Sequence, residues 1–378
     1  MVNATGDKAG PRGTTAQRPP RAPAPLGRPI RVLVVDDSVV IRRLVTQVLG
    51  EDPAIEVAGV AANGVIALAR IPQVNPDVVS LDIEMPEMDG LETLRRIRKQ
   101  FPDLRVIMFS TLTARGAKHA LEALSLGAND YVTKPANAGS LDQSMERLRT
   151  ELIPKIKQFF ETAPGPPPRA VPASIKPVAT YTPVLAFKPE VVAIGVSTGG
   201  PNALAEIFPE FPADFPCPIL VVQHMPPLFT RMLAERLSSQ SRLKVVEAAD
   251  GMVAEAGGAL IAPGDYHMRV VRHERRLVAR LDQGPPQNSC RPAVDVLFSS
   301  LSKVCGGRVL GVVLTGMGQD GLRGAQELKA QGAVVLAQDQ ASSVVWGMPG
   351  SVATAGLADK VLPLKDVVPE ILRRVKLT

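Results

Sequence analysis

Asp36 and Asp37 follow directly on the apolar run at residues 32–35, and Asp82 closes a second such run at 78–81. Two further apolar runs end in Ser110-Thr111 and in Lys134-Pro135. If all four runs are parallel strands, one sheet edge carries three carboxylates, a hydroxyl and an ammonium. Crowded carboxylates repel one another, and a divalent cation that favours oxygen ligands relieves the repulsion. An aspartate beside such a cation and a lysine can attack a phosphoryl donor, because both cations offset charge on the transferring group. Taken singly, Asp37 or Ser38 reads equally well as a helix cap. Together, Asp36, Asp37, Asp82, Ser110 and Lys134 point to phosphoryl chemistry.

A second set of residues suggests acyl chemistry. Residues 191–194 lead into Gly195-Val196-Ser197-Thr198-Gly199-Gly200-Pro201. The G-x-S-x-G spacing presents a serine on a tight strand-to-helix turn, beside backbone N–H groups able to stabilise an oxyanion. The same turn also suits a nucleotide phosphate, or plain turn chemistry. It lacks the lysine of a Walker loop and the third glycine of the dinucleotide fingerprint. A nucleophilic serine needs a base, and His224 ends the next apolar run, in Gln223-His224-Met225-Pro226. His119 belongs to the first segment, and His267 and His273 flank an expected hairpin. An orienting carboxylate is available in Asp320, within Thr315-Gly316-Met317-Gly318-Gln319-Asp320-Gly321, although a helix N-cap is an equal use for it. Asp265, Asp295 and Asp339 are less well placed. The order Ser, His, Asp is not that of the α/β-hydrolases, so convergence of roles on another fold is implied.

The elements that must hold these residues follow a simple alternation. Residues 30–35, 55–61, 78–81, 106–109 and 131–132 read as strands, with amphipathic helices over 40–49, 91–100 and 141–160. Near-continuous apolar strands alternating with helices predict a parallel sheet covered on both faces, here a flavodoxin-like doubly wound domain. Strands at 191–196, 219–223, 259–262, 309–314 and 333–337 predict a second α/β unit, with helices at 228–237, 293–304 and 322–330. Hairpin strands are expected between Tyr266 and Leu281. Residues 1–28 are rich in Pro, Ala, Gly and Arg and predict a disordered extension. Eight prolines fall within residues 162–189, which makes that stretch a stiff tether. The division is then an extension at 1–28, one domain at 29–150, a helix end and linker at 151–187, and a second domain at 188–378. No repeat of solenoid period is present.

Composition narrows the function classes. A chain of 378 residues with 45% hydrophobic and 21% charged residues has the makings of two or three packed domains. The net charge of +6 resides in the extension and tether, which carry eight basic and one acidic side chain between them. Both globular segments are near neutral, which argues against a nucleic-acid face. The sequence has no run long enough to span a membrane and no apolar leader, so a cytoplasmic protein without membrane insertion is expected. Cys217, Cys290 and Cys305 form no C-x-x-C pair, and four histidines make a zinc site of ordinary spacing improbable; structural thiols are expected.

The motifs VVDDS at 34–38, LDIEMPEMDG at 81–90, FST at 109–111 and YVTKP at 131–135 resemble a two-component receiver domain over roughly 29–145. The resemblance implies Asp82 as phosphoacceptor, Asp36 and Asp37 as partners in a Mg²⁺ site, and Ser110, Tyr131 and Lys134 as switch residues. IGVSTGGP at 194–201, QHMP at 223–226, IAPGDYHM at 261–268, RPAVDVLF at 291–298 and LTGMGQDG at 314–321 resemble the catalytic domain of the chemotaxis protein-glutamate methylesterases. That resemblance implies a triad of Ser197, His224 and Asp320, an oxyanion contact from the Met317 N–H and assistance from Thr198. It further implies hydrolysis of glutamate methyl esters and deamidation of glutamines on methyl-accepting chemotaxis receptors. A chemotaxis histidine kinase would supply the phosphoryl group, and the esterase reaction would need no cofactor. In this family the receiver covers the catalytic face until phosphorylated. The rival expectations are a non-catalytic signalling adaptor, or a receiver joined to a nucleotide- or DNA-binding output.

Overall fold

The computed structural model describes residues 27–134, 141–160 and 188–376. The extension and the proline-rich tether lie almost wholly outside the described residues, as does Pro135. The first unit runs β1 (Ile30–Val35), α1 (Val39–Gly50), β2 (Ile55–Ala61), α2 (Gly64–Val74), β3 (Val78–Asp82), α3 (Gly90–Gln100), β4 (Arg105–Ser110), α4 (Ala114–Ser125), β5 (Asp130–Thr133) and α5 (Leu141–Lys157). Its five strands pair in parallel in the order β2-β1-β3-β4-β5. The helices start where polar residues cap them: Ser38, Asn63, Asp89 and Thr113 each accept a backbone N–H of the first turn. β3 extends one residue beyond the apolar run and ends on Asp82 itself. The last helix stops at Lys157, three residues short of the expected end, and Gln158, Phe159 and Phe160 form a turn.

The second unit runs β6 (Val191–Val196), α6 (Gly200–Ile207), β7 (Ile219–Gln223), α7 (Phe229–Gln240), β8 (Lys244–Glu247), β9 (Val253–Ala254), β10 (Gly258–Ile261), β11 (His267–His273), β12 (Arg276–Asp282), α8 (Val294–Cys305), β13 (Val309–Val313), α9 (Leu322–Ala330), β14 (Val334–Gln338), α10 (Met348–Thr354), β15 (Lys360–Leu362) and α11 (Leu364–Lys376). Seven strands form a parallel sheet in the order β15-β14-β13-β6-β7-β10-β8, and β11-β12-β9 form a small antiparallel one. The expected hairpin is β11–β12. β8 and β15 were not evident in the sequence because each offers only three or four residues, half-exposed, with no apolar run.

The first sheet reverses its strand order once, between β1 and β3; the second, besides a reversal at its β10-β8 edge, reverses between β13 and β6. Loops on either side of such a point diverge and leave a crevice at the carboxyl ends of the strands, where open α/β sheets bind ligands. The two units pack together: one continuous apolar cluster joins Leu121, Leu124 and Tyr131 of the first to Ile207, Phe229 and Leu233 of the second.

Candidate active site beneath the first domain

In the first unit the crevice at β1 and β3 holds Asp36, Asp37 and Asp82, whose carboxylate oxygens lie within 4.8 Å of one another. Asp36 and Asp82 are each 2% exposed, whereas Asp37 faces solvent. Lys134 Nζ sits 2.9 Å from Asp36 Oδ2 and 2.8 Å from Asp82 Oδ2. It approaches as a point charge, and neither oxygen receives an aligned hydrogen bond. Burial and the neighbouring Asp36, against the pull of Lys134, push Asp82 up to about 6. Burial works to lower the Lys134 ammonium, but Asp82 and Asp36 outweigh it and raise its pKa. Two under-satisfied buried oxygens within an acidic trio suit a hard divalent cation such as Mg²⁺. Ser110, at the end of β4, donates to Gly116 O at 2.8 Å, and Tyr131 in β5 is buried.

In the second unit, Ser197 follows β6 at the order reversal, with β13 on one side and β7 on the other. His224 follows β7, and Asp320 lies on the loop after β13. Adjacent parallel strands therefore bring three sequence-distant residues to one rim. The serine turn is tightly built. Gly199 has φ +79°, in the left-handed region, and a Cβ on Gly200 would come within 2.0 Å of Gln223 Oε1. Gln223 Nε2 and Gly200 N both donate to Ser197 O, at 3.0 and 2.8 Å, and Ser197 N donates to Thr315 O at 3.0 Å. The serine backbone is thus fixed from three sides.

Asp320 is 2% exposed and collects donors on both oxygens. Oδ2 accepts from His224 Nε2 at 2.8 Å and Val294 N at 2.6 Å. Oδ1 accepts from Asn288 Nδ2 at 2.9 Å, and from Asp295 N and Gly321 N at 3.0 Å. Val294 and Asp295 open α8, so the positive end of the helix dipole also faces the carboxylate. Burial alone would raise the pKa of Asp320, but His224 and these backbone donors hold it below the ordinary range. Burial likewise works against the charged form of His224; Cys290 and Asp320 overcome it and raise its pKa. The other nitrogen, Nδ1, faces Cys290 Sγ at 3.5 Å.

Ser197 and His224 line one cavity, yet the Ser197 hydroxyl makes no hydrogen bond among the described residues. The Met317 N–H likewise meets no acceptor among them, and its side chain is 38% exposed. Thr198 turns the opposite way: its hydroxyl lies 3.1 Å from Asp130 Oδ2 and 3.2 Å from Gln158 Oε1, both in the first unit. Of the weaker candidates, Asp295 is buried against Asn288, Gly321 and Gly324, Asp265 pairs with Arg291, and Asp339 accepts from Ser342. His119 lies in α4 and His273 ends β11, and His267 bonds Pro285 O.

The first unit covers this rim. Tyr131 stacks on Phe229 with ring centroids 4.8 Å apart and planes 9° apart. Asn202 Nδ2 donates to Leu124 O at 2.7 Å, and Arg236 to Leu121 O at 2.9 Å. Lys155 donates to Tyr131 O at 2.6 Å and pairs with Asp130 at 3.1 Å. The cavity left between Asp130, Tyr131, Ser197, Thr198 and His224 is about 20 Å³. That is room for a water molecule or so, far below an ester-bearing side chain. Cys290, Asn288, Gln158 and Arg236 carried no spacing signal in the sequence; the first three contact His224, Asp320 and Thr198, and Arg236 bonds the covering helix α4, from loops or helix faces that only the packing brings near.

A unit with a receiver-type acidic crevice, packed through α4, β5 and the turn after α5 over a rim of Ser, His and Asp, defines the class: a two-domain protein with a receiver-like fold set over a second α/β domain. Residues 32–146 match the model for the response regulator receiver domain, and residues 192–371 match that for the CheB methylesterase. A protein-glutamate methylesterase/protein-glutamine glutaminase of Trichodesmium erythraeum is 56% identical over 347 residues, covering 91% of this chain and 99% of its own. One of Nocardioides sp. is 53% identical over 352 residues, covering 92% and 95%. The solved methylesterase catalytic domain of Thermotoga maritima CheB is 43% identical, covering 50% of this chain and all of its own with a TM-score of 0.48. The chain belongs to the CheB methylesterase family, in the form that carries a receiver domain.

Proposed function

We propose that this protein hydrolyses glutamate γ-methyl esters on chemoreceptors, and deamidates receptor glutamines, under control of phosphorylation at Asp82. The observation that carries the reading is the 2.8 Å bond from His224 to a buried, ionised Asp320, on the rim where Ser197 stands. Asp320 accepts from Nε2 and so leaves the basic lone pair of neutral His224 on Nδ1. His224 takes the Ser197 proton as Oγ bonds to the ester carbonyl carbon, and Asp320 stabilises the imidazolium that forms. The Met317 N–H, which meets no acceptor among the described residues, is available to the developing oxyanion. Methoxide departs with the proton from His224, as methanol. Water, deprotonated by His224, then releases the glutamate; with a glutamine substrate the leaving group is ammonia.

Control belongs to the first domain. Phosphoryl transfer from a histidine kinase to Asp82 puts new negative charge beside Asp36 and Lys134. A Mg²⁺ held by Asp36, Asp37 and Asp82 would supply compensating charge there. Lys134 re-pairs with the phosphoryl group, and Ser110 and Tyr131 pass the change to the interface with Phe229. Thr198, bonded to Asp130 and Gln158, then exchanges an interdomain contact for substrate. The test is methanol release from methylated chemoreceptor membranes, with and without Mg²⁺ and acetyl phosphate. Release that rises with the phosphodonor is expected. Release without a rise would refute receiver control, and no release from folded protein would turn the reading to a signalling adaptor.

A further inference from the structure

Both ring nitrogens of His224 are committed, and neither to Ser197. Nε2 bonds Asp320 Oδ2 at 2.8 Å, and Nδ1 faces Cys290 Sγ at 3.5 Å. An ionised carboxylate only accepts, so Nε2 keeps its hydrogen and the neutral ring has one lone pair, on Nδ1. The Cys290 S–H donates to that lone pair; if the proton crosses, an imidazolium Nδ1–H faces a thiolate instead. Under either arrangement the one basic position on the ring belongs to the thiol.

The thiol is also held in place. Gln287 and Cys290 exchange both backbone hydrogen bonds, at 3.0 and 2.8 Å, which closes a tight turn. Within that turn Asn288 Nδ2 bonds Asp320 Oδ1 and Asp295 Oδ2, each at 2.9 Å. One short segment therefore grips the carboxylate with an amide and the imidazole with a thiol. Asp320 in turn is fixed by the start of α8, so the ring is anchored at Nε2. The three cysteines differ in placement: Cys217 and Cys305 are buried, whereas Cys290 is half-buried and faces His224.

We propose that Cys290 is a positioning residue that holds the His224 Nδ1 lone pair in a resting pose, and that turnover requires the thiol to yield this nitrogen to the Ser197 hydroxyl. The inference rests on the roles given to Ser197 and His224 above. It is tested by methanol release from the full chain as wild type, Cys290→Ala, Cys290→Ser and Ser197→Ala. Removing the competitor is expected to raise kcat about fivefold at unchanged KM, the factor of one modest hydrogen bond. Cys290→Ser keeps a donor for Nδ1 and is expected to show no gain. A Cys290→Ala kcat at or below wild type overturns the proposal.

A second readout does not depend on ester turnover. As Cys290 Sγ displaces iodide from iodoacetamide, forming the S–C bond, its proton passes to His224. Labelling of Cys290, followed by mass spectrometry, is therefore expected to be about tenfold faster in wild type than in His224→Asn. Equal rates overturn the proposal. The Ser197→Ala control separates the two readings: retained release there sinks the assigned nucleophile. Lost release beside an unaccelerated Cys290→Ala sinks only the role of Cys290.

Discussion

Ser197, the proposed nucleophile, is held through its backbone rather than through its side chain. Its carbonyl and N–H are held by Gln223, Gly200 and Thr315, while its hydroxyl has no hydrogen-bond partner among the described residues. Gly316 also approaches closely: a Cβ there would stand 2.8 Å from Ser197 Cβ and 2.4 Å from Met348 Sδ. Ser197→Ala should leave this framework intact and cut methanol release by about 10⁴–10⁶-fold, as expected when nucleophile, base and carboxylate act as a unit. A loss of less than about a hundredfold, measured on the same receptor membranes, would assign the nucleophile elsewhere.

Among elements, α11 shows charge and apolar surface acting together. Val367, Val368, Ile371 and Val375 bury one face of it, and Glu370 gathers Lys360, Arg373 and Arg374 at 2.7–2.9 Å. The bond from Arg373, then those from Lys360 and Arg374, hold the Glu370 carboxyl at about 2, well under its ordinary value, despite burial. A depressed carboxyl stabilises the fold above its unfolded pKa, and that stability is lost as pH falls from about 4.5 through 2. Glu370→Gln should therefore lower unfolding stability at pH 7 by about 1–2 kcal/mol, allowing for solvent screening. Its stability should also fall less than that of wild type between pH 4.5 and 2. Parallel urea titrations with superimposable pH dependence would remove Glu370 from the account.

For the whole molecule, the proposed control acts at the interface between the two domains. Asn202 and Arg236 donate to the carbonyls at the end of α4, and Tyr131 rests on Phe229 beside the serine turn. The cavity between the domains beside Ser197 and His224, about 20 Å³, is too small for an ester side chain, so entry from that side would need the domains to part. Losing two interdomain hydrogen bonds shifts that equilibrium toward open forms, so Asn202→Ala with Arg236→Ala should raise unstimulated release about tenfold. Stimulation by acetyl phosphate should shrink by a similar factor. Asp82→Asn, by contrast, should keep the unstimulated rate and abolish the response to acetyl phosphate, read in the same assay. A persistent response would move the phosphoacceptor to another residue.

Much of this arrangement was legible in the chain. Apolar runs that end in Asp36, Asp82, Ser197 and His224 declare strands and place those residues at strand ends, because a buried parallel strand must be apolar until it emerges. Motif spacing made both acidic crevice and serine turn visible for the same reason: each is local to one strand-to-loop junction. Strand order is not local. That β13 lies beside β6, so that Asp320 reaches His224, depends on which apolar faces pack together, and no periodicity encodes it. Nor does any spacing tie Cys290 to His224 or Thr198 to Asp130, since these contacts form between loops and domains brought together only by burial of shared apolar surface. The chemistry on offer at each strand end is written locally in the chain. Which groups meet depends on packing, because hydrogen bonds and ion pairs act over a few ångströms whatever the distance along the chain.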